Sequence, residues 1–396
     1  MSQTDLHQPI SAGIIAILVG YTSSFAVVLT GLTEVGASPR QAASGLFALC
    51  AIQAVGMVWL SRRYRIPVVL AWSTPGAALL AGSHSAGADW SAAVGAFLLV
   101  GVAYAITGLW PALGQLIARI PAPIAQGMLA GVVLKLCLAP VTSVVDNPWA
   151  ILPIVFAWLV GVRLAPRWAV PIAFVVAALV IGVDMVRHGN GIAGSLLLPH
   201  VSLTSPTLSW EAVVGIALPL YIVTMASQNV PGVAIMKSLG YEVPWRPTMV
   251  TTGVATIVGA TAGGHSVNLA AISAALAAGA PAGPDPKRRW IASQSAGVTY
   301  VFLAASSAAL AALVAVAPRG VIATVAGLAL LGTLADALEG SVAQRRGREA
   351  AVVTFLVAAS GITAFSIGSA FWALVAGLVV HAVLDWQAPR PRQKKA

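Results

Sequence analysis

Two interruptions in an otherwise apolar chain constrain its fold more than any other feature. They read Ala71-Trp72-Ser73-Thr74-Pro75-Gly76 and Gly263-Gly264-His265-Ser266-Val267-Asn268. Each lies in the third hydrophobic segment of its half of the chain, and each is followed by a run of small residues, 77–82 and 269–279. Within lipid every backbone polar group must be satisfied, so only helices and closed barrels cross a bilayer. Open backbone survives there only where protein or a water-filled cavity surrounds it. Paired breaks in corresponding segments therefore predict a cavity near the membrane midplane, the arrangement from which secondary transporters build a binding site.

The composition requires a membrane setting: 58% of the 396 residues are hydrophobic and 9% are charged, against about 25% charged in a soluble domain. The apolar residues fall into runs of roughly 17 to 25, the length a helix needs to cross about 30 Å of hydrocarbon. Fourteen such segments are expected, near 13–35, 42–61, 66–82, 91–117, 121–138, 148–164, 168–186, 211–235, 246–262, 263–280, 289–314, 320–340, 349–365 and 369–386. With both termini in the cytoplasm, this count puts most Lys and Arg on the inner side. Arg40, Arg187 and Arg319 fall outside and Lys135 within a span, as the positive-inside rule asks. The isoelectric point near 10.2 thus reports topology and gives no reason to expect nucleic acid as a partner. The polar stretch 187–209 divides the segments into seven and seven, and an odd number per half makes the second half an inverted repeat of the first.

The breaks themselves carry chemistry. Pro67 and Pro75 bracket a stretch that is extended rather than helical, and Ser73 or Thr74 can cap a half-helix whose first position is Pro75. In the second break Gly263 and Gly264 free the backbone, and Ser266 or Asn268 can cap a helix starting near Leu269. Two helix N-termini converging at mid-membrane resemble a cradle for an anion. The run 269–276 is assigned to close helix packing, without a ligand contact.

A third polar cluster, Thr224 to Gly232, contains Gln228 and Asn229, whose amides suit a polar ligand group or the freed backbone of a broken helix. Its counterpart in the first half is Tyr21-Thr22-Ser23-Ser24. His265 is the ionisable group within a break and is a candidate proton carrier; Asp336 and Glu339 are the acids to consider beside it. Cys50 and Cys137 give neither a disulfide framework nor a metal spacing. No nucleotide-binding loop, zinc motif or nucleophile–base–acid constellation is present, so the sequence predicts no enzyme, no cofactor and no metal.

Several stretches resemble one family over nearly the whole length. These are Ala71-Trp72-Ser73-Thr74-Pro75-Gly76-Ala77-Ala78-Leu79-Leu80, Leu218 through Gly232, Asn268 through Ala275, and Gly368-Ser369-Ala370-Phe371-Trp372. They are similar to the benzoate/proton symporters of bacterial inner membranes, a family related in fold to uracil/xanthine permeases and sulfate-type anion transporters. The resemblance implies an all-α membrane protein of fourteen spans with broken third and tenth spans. It implies a core domain in two parts, 1–120 and 211–315, and a gate domain in two parts, 121–186 and 316–396, with an external connection at 187–210. Substrate is then expected between the third and tenth spans against the eighth. That singles out Trp72, Ser73, Thr74, Pro75, Gly76, Gln228, Asn229, Gly264, His265, Ser266, Val267 and Asn268. Tyr21 and Ser24 join them from the polar cluster of the first segment, and His265, Asp336 and Glu339 remain the candidates for proton coupling. The expected partners are an aromatic carboxylate, protons and the bilayer, and a homodimer is left open. Uracil-type relatives place a carboxylate in the eighth span where this chain has Gln228 and Asn229, which counts against a nucleobase. Anion exchange or conduction of the sulfate-transporter type is the alternative.

Overall fold

The computed structural model describes residues 4–82, 89–110, 112–113, 120–189, 191–192, 194, 197–345, 347–365 and 367–384. Arg119, Arg346 and the basic tail beyond 384, on which part of the charge asymmetry rests, lie outside the described residues. The first half comprises α1 (Thr4–Glu34), α2 (Pro39–Tyr64), β1 (Leu70–Trp72), α3 (Thr74–Gly82), α4 (Trp90–Leu109), α5 (Ala122–Asp146), α6 (Pro148–Leu164) and α7 (Ala169–His188). The second comprises α8 (Trp210–Ser238), α9 (Trp245–Ala260), β2 (Val267–Leu269), α10 (Ile272–Ala278), α11 (Trp290–Ala315), α12 (Val321–Val342), α13 (Arg348–Ser360) and α14 (Ser369–Leu384). Among the described residues, 8 helices are long and apolar enough to cross a membrane.

Local chemistry sets the boundaries. Ser38 and Gln41 form a reciprocal capping box at the start of α2, with Pro39 in its first turn, which satisfies two otherwise orphaned N–H groups. The Asp89 carboxylate accepts from the Ala92 N–H at 2.9 Å to open α4. α13 ends at Ser360, short of the expected 365, because Gly361 takes the left-handed conformation at φ 65°, the usual helix stop for a residue without Cβ. Within α8, wide π turns occupy Val213–Ala217 and Met225–Asn229. Each closely precedes a proline, Pro219 and Pro231, whose missing N–H removes one rung of the regular ladder.

The helices pack in two groups. α2 lies along α11, α9 along α4, and α1 along α11 and α3, while α5 lies along α12 and α13, α13 along α14, and α6 along α7. The groups meet where α3 touches α5 and where α1 touches α12 and α7. Large apolar side chains point outward on the second group; Trp149 is 89% exposed and Phe156 68%. On a molecule in water such a surface would be anomalous, whereas hydrocarbon accepts it without cost.

Candidate functional site

The two breaks come together as an antiparallel pair of strands in the interior. Leu70 faces Leu269, Ala71 faces Asn268 and Trp72 faces Val267, so the backbone that Pro67 and Pro75 keep from being helical finds its hydrogen bonds in the other break. The ladder extends at both ends: Ser73 N–H donates to the Ser266 carbonyl at 3.3 Å and Ala270 N–H to the Val69 carbonyl at 2.9 Å. The Asn229 side-chain oxygen accepts from Leu269 N–H at 2.8 Å. Thr256 Oγ1 accepts from Val267 N–H at 3.0 Å. At Gly263, φ is +96° and an added Cβ would stand 3.0 Å from the Trp90 ring, which accounts for the glycine by both conformation and space.

The two half-helices begin differently. Ser73 caps α3, its Oγ accepting from Gly76 N–H at 2.9 Å and lying 2.6 Å from Thr224 Oγ1. α10 starts at Ile272, later than the expected Leu269, and no side chain caps it. Neither candidate cap serves it: Ser266 Oγ is paired with the Tyr104 hydroxyl at 2.9 Å, and Asn268 donates through its NH2 to the Leu269 carbonyl at 3.0 Å while its Oδ1 has no hydrogen-bond partner.

A cavity of about 300 Å³ lies in front of this pair, between the two helix groups. Trp72 and Tyr300 form an aromatic wall with ring centroids 6.0 Å apart. The Trp72 indole is fixed by donating to Ser24 Oγ at 2.9 Å. Polar groups come from Ser23 and Ser24 of α1, Thr74 of α3, Ser227 and Gln228 of α8 and Ser273 of α10, and Pro75 adds an apolar edge. From the facing group, Gln126 of α5 and Thr333 and Asp336 of α12 complete the lining.

Of the residues expected at the site, Ser24, Trp72, Thr74, Pro75, Gln228 and Asp336 line the cavity. The others support it from behind or stand apart. The Tyr21 ring is buried against Trp72 at 5.5 Å. Ser73 is the cap, Gly76 is packed against Leu220, and Asn229 holds the β2 backbone. Gly264, His265 and Ser266 precede β2 and Val267 and Asn268 belong to it; all five are buried and none borders the cavity. His265 Nε2 donates to the Ser73 carbonyl at 3.1 Å and its Nδ1 has no hydrogen-bond partner. Glu339 is exposed and is not part of the lining. The small-residue run assigned to packing proves to be wall: Ala270, Ala271, Ser273 and Leu276 all border the cavity. Gln126, Tyr300 and Thr333 also line the cavity and were not expected there, because isolated polar positions within apolar helices carry only a weak signal in the sequence. No group of three or more His, Cys, Asp or Glu is placed to hold a metal among the described residues.

Comparison with known proteins gives the same direction from sequence and from fold. The family model described as "Benzoate membrane transport protein" matches residues 4–383. The chain is 38% identical over 385 residues to "Inner membrane protein YdcO" of Escherichia coli (strain K12), covering 96% of this chain and 97% of that one. It is 29% identical over 376 residues to the "Benzoate membrane transport protein" of Acinetobacter baylyi, covering 94% of each. In fold it is similar to the transmembrane domain of a cyanobacterial bicarbonate transporter, BicA, with a TM-score of 0.61, 14% identity, and coverage of 96% of this chain and 98% of that one.

Proposed function

The chain belongs to the benzoate membrane transport protein family, and we propose that it carries benzoate or a similar aromatic carboxylate, together with a proton, across a bacterial inner membrane by alternating access. The observation that carries this reading is the cavity itself. An aromatic wall and a set of uncharged hydrogen-bonding groups meet between two broken segments, and the facing wall belongs to a separately packed group of helices.

In this reading the chain crosses the membrane fourteen times in two inverted sets of seven, with both termini cytoplasmic. The packing supports it. Adding seven to each helix number turns the α1–α3 contact into α8–α10 and α6–α7 into α13–α14; the α2–α11 and α4–α9 contacts exchange in the same way. The core domain is α1 to α4 with α8 to α11, and the gate domain is α5 to α7 with α12 to α14. Rocking of one against the other opens the cavity to either side.

The substrate ring stacks against Trp72 and Tyr300, where offset or edge-on aromatic contacts add about 0.5–1.5 kcal/mol beyond burial. The carboxylate takes hydrogen bonds from Thr74, Ser273 and the Gln228 amide, with no fixed acid on the core side to repel it. Asp336, the one of the three proton-coupling candidates that faces the cavity, is the proton carrier. A monoanion entering against an inside-negative potential costs about 2.3 kcal/mol per 100 mV, and one accompanying proton cancels that electrical term.

Radiolabelled uptake into proteoliposomes, with benzoate, aliphatic acids and uracil compared at two external pH values, tests the reading. Benzoate uptake that rises with an inward proton gradient and is not displaced by uracil is expected. Benzoate movement only in exchange for an internal anion would replace symport by the anion-exchange alternative.

A further inference from the structure

Lys135 is the one cation that the sequence places inside a span, and nothing in the transport reading above uses it. It sits mid-way along α5, partly buried, and borders a small pocket with Leu79 and Gly82 of α3, Ala358 of α13, and Ser369 and Ala370 of α14. Its ammonium lies so close over Gly361 that a Cβ there would collide with Nζ. A charge at this depth is costly and is retained for a reason. Part of that reason is local: the C-terminal end of α13, capped by Gly361, presents partial negative charge to the ammonium. No ion pair joins Lys135 to an acid among the described residues; the described pairs are His188 with Asp184, Arg288 with Asp285 and Arg348 with Glu349.

Its position relative to the cavity gives the rest. Gln126 and Leu129 of α5 border the cavity, and Lys135 lies about 9 Å further along the same helix at about 1.5 Å per residue. Gln126 is near the end of α5 that follows Arg119 in the sequence, and Asp336 is near the end of α12 that precedes Arg345. Lys135 is therefore displaced towards the opposite, base-poor end, where the last turn of α3 closes against α5 and shares the small pocket with the start of α14. That closure is also the seam along which core and gate would part.

We propose that Lys135 is a carboxylate-docking site on the outer route to the cavity. When α3 separates from α5 and α14, the ammonium, unpaired with any acid among the described residues, receives the substrate anion before it passes to the hydrogen-bonding groups of the cavity. This inference rests on the transport reading and assigns to it a second, transient anion site of monocarboxylate class.

The test replaces Lys135 by methionine and by cysteine in a protein whose native Cys137 has been changed to alanine, and measures benzoate uptake in right-side-out and inside-out vesicles. Lys135→Met is expected to raise KM for entry from the outer face about tenfold while leaving KM from the cytoplasmic face within twofold, and Lys135→Arg to stay near the native value. Because a methionine variant can fail by misfolding, the cysteine variant is modified after assembly. An aminoethyl thiosulfonate, which restores a positive charge, should recover outer-face entry, and a sulfonatoethyl reagent should depress it further. Equal rises in KM at both faces, or equal uptake after the cationic and anionic reagents, would reduce Lys135 to a structural residue. A native protein that carries no benzoate at all overturns the transport reading, and the docking site with it.

Discussion

The two breaks are equivalent by position, yet they are built to different plans. The first supplies its own support: Ser73 caps α3, meets Thr224 of α8 and accepts His265 at its carbonyl. The second borrows its support, since β2 is held by Asn229 from α8 and Thr256 from α9, and α10 starts with no side-chain cap. One is a rigid edge carrying the aromatic wall; the other leaves the start of a short helix facing the cavity with Ala271 and Ser273. The paired breaks thus divide the labour, and the asymmetry sits where a ligand with one apolar and one charged end would need it.

The largest expected effect comes from the borrowed support. Asn229→Leu strands the Leu269 N–H in a buried site, which costs about 1–3 kcal/mol, and should abolish benzoate uptake while the protein still reaches the membrane. Normal transport by a normally expressed variant would show that the second break stands without α8.

Next is the group that both breaks face. Neither break carries an acid, so Asp336→Asn should lower pH-driven accumulation more than tenfold yet preserve counterflow of benzoate across vesicles at equal pH. Accumulation that survives would move coupling away from the facing wall.

A smaller change is expected in the self-supporting break. Ser73→Ala removes a cap worth about 1 kcal/mol, but the Ser73 carbonyl still receives His265 and the strand pairing remains. A lowered thermal midpoint in detergent with only a few-fold loss of uptake is predicted. A loss as complete as that of Asn229→Leu would erase the distinction between the breaks.

The smallest effect concerns His265. Glutamine can still donate to the Ser73 carbonyl, so His265→Gln keeps this bond and should change benzoate affinity and pH-driven uptake in parallel and by no more than about twofold. Selective loss of the pH-driven component would return this histidine to the coupling path.

The sequence made the breaks legible because proline, glycine and capping side chains act locally, and local rules found β1, the start of α3 and the π-distorted cluster around Gln228. They failed where partners come from far along the chain. Ser266 and Asn268 look like caps when only neighbours are considered, but Tyr104, 162 residues away, claims the first. His265 looks accessible beside two flexible glycines, and is sealed because the strand pairing turns it towards Phe97, with ring centroids 6.3 Å apart. The run of alanines after Asn268 reads equally well as a packing face or a cavity floor, since a small side chain serves both. Which of these it is depends on whether another helix fills the space, and α5 and α12 leave it open.

The most direct test of the central claim is to locate the ligand. In a crystal of the protein grown with para-bromobenzoate, the anomalous signal of bromine marks the ring without relying on fitted density. One peak is predicted in the cavity, against the wall formed by Trp72 and Tyr300, with the carboxylate end towards Thr74, Ser273 and Gln228, and its loss in Trp72→Ala. A peak on the His265 side of the strand pair, or an empty cavity under conditions where the same preparation transports benzoate, would contradict it.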